Sequence, residues 1–66
     1  MPLVQVSMRV GRTPEQKRRL VRALTDAMVD TVGVRRDRVT VIIQEVEPDH
    51  WANGGVTLAE EPKAPP

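Results

Sequence analysis

The segment 13–33 constrains this chain more than any other, because both ends of one long helix are written into it. Thr13 offers an N-cap hydroxyl, Pro14 takes the first helical position, Glu15 puts an acid in the first turn, and Gln16 stands at the capping-box position. Gly33 suits a left-handed C-terminal cap. Between these signals, Leu20, Leu24, Ala27, Met28 and Thr31, flanked by Val21 and Val32, form a stripe at helical spacing. Arg19, Arg22, Asp26 and Asp30 cover the opposite face, with Glu15 and Arg19 one turn apart, as are Arg22 and Asp26.

A helix of about nineteen residues leaves room for one strand on each side. In 3–10, Val4, Val6, Met8 and Val10 alternate with Gln5, Ser7 and Arg9; Leu3 is the exception. That is the pattern of a half-buried strand, which Gly11 breaks. After a short loop at 34–37, the run 39–46 is nearly continuous in β-branched residues, which predicts burial on both faces near its centre. Strand, helix and strand in this order make a right-handed βαβ unit with parallel strands, an α/β (α+β) fold. Beyond Pro48-Asp49, the turn signal Asn53-Gly54-Gly55 predicts a small hairpin. The domain is expected to fill 1–59, with 60–66 as a polar, Pro-rich, extended or disordered tail.

One helix covers one face of a two-stranded sheet, so the other face needs a partner. Size leads to the same place. A chain of 66 residues buries only about 60% of its unfolded surface. The absence of Cys excludes disulfides and thiolate metal sites, and a single His excludes a multi-histidine site within one chain. Association remains as the way to stabilise it, and an obligate oligomer is expected. A net charge of +1 does not mark a nucleic-acid binder. No run approaches a membrane span and no signal peptide is visible, so the chain reads as soluble and cytoplasmic.

Pro2 lies directly behind Met1. Proline is tolerated at the first position of a strand, which is one reading. The other is chemical: once Met1 is cleaved, Pro2 becomes a secondary amine, a base and nucleophile that no side chain provides. An ordinary α-amino group has a pKa of about 7.7–8.0, and proline's is more basic. General-base work near neutral pH therefore needs that value lowered, by apolar burial or nearby positive charge. Arg9, Arg12 and Trp51 are the candidates. Seven strand residues at about 3.3 Å each put Arg9 about 23 Å from Pro2. Guanidiniums that meet this amine must come from a neighbouring chain.

Taken in order, Pro2 behind Met1, the Gly11-Arg12-Thr13 turn, the Glu15-Gln16-Lys17 helix start, the strand at 39–45 and His50-Trp51 with Gly54-Gly55 resemble the 4-oxalocrotonate tautomerase family. The resemblance spans 1–59. It implies a βαβ protomer, dimers with a four-stranded sheet and two helices, and a hexamer of three such dimers. It implies that Pro2 moves a proton between oxygen and carbon of enols, dienols or unsaturated oxo acids, without cofactor or metal.

The same resemblance assigns residues. Arg12 matches the family's substrate arginine, whose fork can hold a carboxylate by two parallel bonds; otherwise it is a solvated arginine beside a turn. Trp51 takes the family's aromatic position, as an apolar wall or an interface tryptophan. Arg9 departs from the common tautomerase, which is apolar there, and is similar to one subunit type of trans-3-chloroacrylic acid dehalogenase; the alternative is a solvated strand-end charge. That relative carries a water-activating glutamate where this chain has Asn53, an amide that can orient water but cannot act as a base. Thr40 stands where well-known members have another arginine. Arg38, two residues or about 6.6 Å away along an extended strand, is expected on the same face as Thr40 and is a further candidate. His50 reads as structural or exposed, and Lys17-Arg18-Arg19 as a solvated helix face. The expected activity is isomerisation of a small carboxylate substrate. The alternatives are a hydratase or dehalogenase of unsaturated acids, or a non-catalytic subunit of a hetero-oligomer.

Overall fold

A computed structural model describes residues 1–61. Strand β1 (Leu3–Arg9) leads into helix α1 (Pro14–Val32) and then strand β2 (Thr40–Val46). A short 3₁₀ turn, Arg36–Arg38, precedes β2 and another, Pro48–His50, follows it. Strands β3 (Ala52–Asn53) and β4 (Val56–Thr57) form an antiparallel hairpin. The predicted βαβ unit is present. β1 and β2 pair in parallel from Leu3↔Thr40 to Arg9↔Val46. Two further bonds seal the ends of the pair, Thr40 N–H to the Pro2 carbonyl at 3.0 Å and Val10 N–H to the Val46 carbonyl at 3.1 Å.

The helix begins and ends as its sequence dictates. Gln16 N–H donates to Thr13 Oγ1 at 3.1 Å, and Thr13 N–H donates to Gln16 Oε1 at 2.9 Å, closing the capping box. Gly33, at φ 78°, takes the left-handed cap and donates its N–H to the Val29 carbonyl. The inward stripe, however, differs from the predicted one. Lys17, Leu20, Val21, Leu24, Thr25, Met28 and Val29 are half-buried, whereas Ala27, Thr31 and Val32 are exposed. The half-buried stripe is rotated rather than trimmed: Thr25 and Val29 join it, Ala27 leaves it, and it stops at Val29, so the last turn of α1 with Thr31 and Val32 stays uncovered. Thr31 satisfies its hydroxyl on its own helix, donating to the Ala27 carbonyl.

Charges also settle differently from their spacing. Lys17 leaves the solvated face and pairs with Glu45 at 2.7 Å, because Glu45 stands in register with Met8 on the helix side of the sheet. Asp26 pairs with Arg36 of the turn before β2 rather than with Arg22. A basic residue N-terminal to its acid is the weaker orientation within a helix.

Strand alternation decides the sheet's two faces. Val4, Val6 and Met8, with Val41 and Ile43, meet the helix, and all are half-buried. The other face carries Leu3, Gln5, Ser7 and Arg9 beside Thr40, Ile42, Gln44 and Val46. Burial on both faces of β2 does not occur in the single chain: Ile42 is 45% exposed and Leu3 57%. This open face is apolar at one end and polar in the middle, where Ser7 and Gln44 lie within 3.4 Å. No described residue is fully buried. The protomer thus holds half a core.

The hairpin turns on Gly54 and Gly55, at φ 60° and 82°, the two left-handed positions that a two-residue β-turn of this kind requires. Leu58 N–H to the Trp51 carbonyl and Ala59 N–H to the Pro48 carbonyl anchor it to the preceding turn. Order continues past 59, since Glu60 and Glu61 both donate their N–H groups to the Thr57 carbonyl. The remainder of the expected tail, 62–66, lies outside the described residues.

Candidate active site

The two ends of the parallel sheet carry different chemistry. At one end, Pro2 is half-buried and its carbonyl is fixed by the first residue of β2. Met1 projects from it, 90% exposed. Thr40 is half-buried beside it. The 3₁₀ turn that carries Arg38 enters β2 at this same end.

At the opposite end, β1 finishes at Arg9 and the chain turns through Gly11, φ 119°, into Arg12 and the helix. Arg12, Met8, Gln16, Lys17 and Leu20 line a groove of about 140 Å³ on the helix side of the sheet. Arg9 belongs to the other face, in register with Val46. The two arginines therefore share an end of the sheet without sharing this groove. The strand β2 also ends here, so Trp51 and Asn53 follow on from the Arg9 end. Trp51 is half-buried and Asn53 is exposed at the hairpin turn.

Within one chain the structure thus groups Pro2, Thr40 and Arg38 at one end, and Arg9, Arg12, Trp51 and Asn53 at the other. Seven residues of β1 stand between them, about 23 Å. His50 is exposed, with Nε2 3.7 Å from Asp49 Oδ1, as its structural reading predicted.

Two points lay beyond the sequence. Gln16 and Lys17 join Arg12 in lining its groove; the capping box gave the position of Gln16, but only the register Met8↔Glu45 reveals that Lys17 leans inward to Glu45. Arg38 belongs to a 3₁₀ turn, not to the strand. Alternation from Thr40 does not extend to it, so the expected common face of the two residues does not follow. A second, larger depression of about 370 Å³ is lined by Lys17, Arg18, Val21 and Arg22 on the N-terminal half of α1. The chain enters α1 from the arginine end, so this depression lies away from Pro2. No helix among the described residues is long and apolar enough to cross a membrane.

A βαβ unit with proline at the first strand's threshold, cations at the far end and one uncovered sheet face defines a class of small α+β proteins. The comparisons place it within that class: a family model described as tautomerase enzyme matches residues 2–61, and the chain belongs to the 4-oxalocrotonate tautomerase family. It is 50% identical over 64 residues to a probable tautomerase of Ralstonia nicotianae, covering 94% of this chain and 91% of the relative. It is 43% identical over 60 residues to the 2-hydroxymuconate tautomerase of Bacillus subtilis, covering 91% and 97%. The solved heterohexamer 4-oxalocrotonate tautomerase from Chloroflexus aurantiacus superposes with a TM-score of 0.85 at 45% identity, over 91% of this chain and 97% of that one. Membership of the family makes isomerase-type, tautomerase chemistry the activity of this fold.

Proposed function

We propose that the chain, once relieved of Met1, is a cofactor-independent cytoplasmic tautomerase. In this reading the Pro2 amine moves a proton between the enol or dienol and keto forms of a small carboxylate substrate. Arg12 of a neighbouring protomer grips the carboxylate through its planar fork. Arg9 adds positive charge, Trp51 limits water, and Asn53 bonds to a substrate oxygen or orients water. The base takes the proton from the enol oxygen, and the carbon terminus of the conjugated system is protonated in turn. No net change of composition occurs, and no redox partner is required.

One observation carries the reading. The amine's position and the Arg12 groove lie at opposite ends of the sheet in one chain, yet each protomer leaves an open sheet face and an unsealed core. Association that covers this face also supplies a route for one chain's cations to reach another's proline. A hexamer built as a trimer of dimers fits this requirement. The Bacillus subtilis relative, named for 2-hydroxymuconate, supports an enol carboxylate as the substrate class.

The test is a pH–rate profile of the processed protein against Pro2→Ala, with Arg9→Ala and Arg12→Ala alongside. Loss of a positioned base is expected to cost about 10²–10⁴-fold in kcat, and loss of Arg12 to raise KM chiefly. Intact mass must show one species lacking the mass of Met1. Undiminished turnover by Pro2→Ala would end the amine mechanism. A second reading draws on the heterohexameric neighbour: this chain acts as one of two subunit types and lends arginines to a partner's proline. It predicts that the purified chain assembles only with a second gene product.

A further inference from the structure

Asn53 is the sole asparagine of the chain, and Gly54 follows it directly. The pair stands where β3 passes into the hairpin turn. Asn53 is exposed. Among the described residues, no side-chain hydrogen bond holds its amide. The Gly54 N–H lies outside the β3–β4 ladder and donates to no carbonyl among the described residues. The space beside Gly54 is open as well: a methyl group on its Cα would meet no atom within 4 Å beyond its chain neighbours.

These features together remove what ordinarily protects a side-chain amide. A hydrogen-bonded amide is held away from its own backbone; this one is free to turn. A peptide N–H bonded to a carbonyl keeps its proton; this one faces solvent. A side chain on the following residue crowds the approach and restricts the backbone, and glycine does neither. The Gly54 nitrogen can therefore lose its proton to solvent and attack Asn53 Cγ. A bond forms between that nitrogen and Cγ, the Cγ–Nδ2 bond breaks, and Nδ2 leaves as ammonia, which closes a succinimide. Water then opens the ring. Cleavage of the nitrogen–Cγ bond gives aspartate; cleavage between the nitrogen and the main-chain carbonyl carbon gives isoaspartate. Water is the one co-reactant, and nothing is oxidised or reduced.

The place of this reaction gives it a consequence. Asn53 follows β2 out of the end of the sheet that carries Arg9, Arg12 and the half-buried Trp51. An amide both donates and accepts hydrogen bonds, whereas an ionised carboxylate only accepts them and carries a negative charge. Such a charge competes with an incoming carboxylate for the same guanidiniums and repels it. Isoaspartate also lengthens the main chain by one carbon beside the Asn53↔Val56 pair.

We infer that Asn53 is a spontaneous modification site of the folded chain, an exposed amide beside an unbonded glycine N–H, and that its conversion to aspartate or isoaspartate weakens the hold on carboxylate substrates. The effect on substrate rests on the tautomerase reading above; the modification itself does not.

The experiment incubates the native protein at mildly alkaline pH, with the urea-unfolded chain and Asn53→Gln alongside, and follows intact mass. The native wild type is expected to gain the mass of one amide-to-acid conversion. The gain should map to the peptide holding position 53, part of it methylated by an isoaspartyl methyltransferase. Asn53→Gln, whose longer arm closes a ring more slowly, should lose the gain. A gain at any other residue, a gain that persists in Asn53→Gln, or a gain in urea with none in the native protein would overturn the site. The effect on substrate is read with Asn53→Asp, which carries the aspartate product from the start. Its KM for phenylenolpyruvate should exceed that of fresh wild type by about 1.5-fold to fivefold, the size of an exposed charge pair, and the ratio should shrink as salt is added. A wild-type KM, or a ratio indifferent to salt, overturns that effect. A mass gain at Asn53 in a preparation without tautomerase activity upholds the site while the catalytic reading alone fails.

Discussion

Replacing Ile42 with lysine should dismantle assembly and fold together. Ile42 and Leu3 are the apolar side chains most exposed on the face of the sheet turned away from α1, at 45% and 57% of their surfaces. Fully burying a Leu or Ile side chain contributes about 1.5–3 kcal/mol. Scaled by those fractions, covering this face contributes about 1.5–3 kcal/mol per protomer from the two residues alone. Lysine forfeits the Ile42 share and brings an ammonium whose removal from water costs several kcal/mol. Among the described residues none is fully buried, and chains of this size fold alone near the balance point. The net loss therefore exceeds what the isolated fold can absorb. Light scattering coupled to size exclusion should show the wild type as a multimer and Ile42→Lys as a monomer. Urea unfolding of the wild type should shift to higher midpoint as protein concentration rises, because association stabilises only the folded chain. An Ile42→Lys protein that elutes with wild-type mass, or a wild-type midpoint indifferent to hundredfold dilution, would refute the argument.

Two smaller perturbations test the local structure. Thr13→Ala removes the hydroxyl that caps α1 and should cost about 1 kcal/mol in urea unfolding at fixed concentration, with no change in KM; a loss below 0.3 kcal/mol would be evidence against the capping box. Glu60 accepts bonds from Thr57 N–H at 2.9 Å and Thr57 Oγ1 at 2.8 Å, which hold its carboxyl below the usual carboxylate range. Because the folded form favours the ionised group, its contribution is whole above the unfolded carboxylate pKa and lost as pH falls through the folded value. The protection factor of the Thr57 amide, its exchange rate divided into the intrinsic rate of an unstructured amide at the same pH, should fall on acidification in the wild type and stay constant over that window in Glu60→Gln.

The helix was legible residue by residue, because its signals are local. Thr13, Gln16 and Gly33 act on backbone groups within one turn, and no distant contact competes for them. Strand β1 was legible through its alternation and β2 through its run of β-branched residues, although the burial on both faces read from that run is not met in the single chain, where Ile42 stays 45% exposed. Less was legible wherever a side chain had a choice of partner. Asp26 had Arg22 one turn away and took Arg36, ten residues on; Lys17 was placed on a solvated face and turned to Glu45. The stripe on α1 was misplaced: Thr25 and Val29 turn inward instead of Ala27, and the last turn with Thr31 and Val32 is left uncovered. The candidate site divides along the same line. Pro2, Arg12 and Trp51 were nominated by position and resemblance; the length of β1 already separated Pro2 from the arginines, but the end of the sheet at which Trp51 falls needed the strand pairing.

By itself the sequence determined the order of elements, the caps that bound the helix, and a sheet of which one helix covers only one face. These follow from short-range bonding and from periodicity, which hold wherever the segment ends up. Tertiary structure decided the register that sets Thr40 beside Pro2 and Glu45 beneath Lys17, and that the turn before β2 ties up Arg35 and Arg36 while leaving Arg38 without an acid of its own. Register and ion-pair choice depend on which residues are brought close across long stretches of chain, and that distance information exists only once the fold has formed.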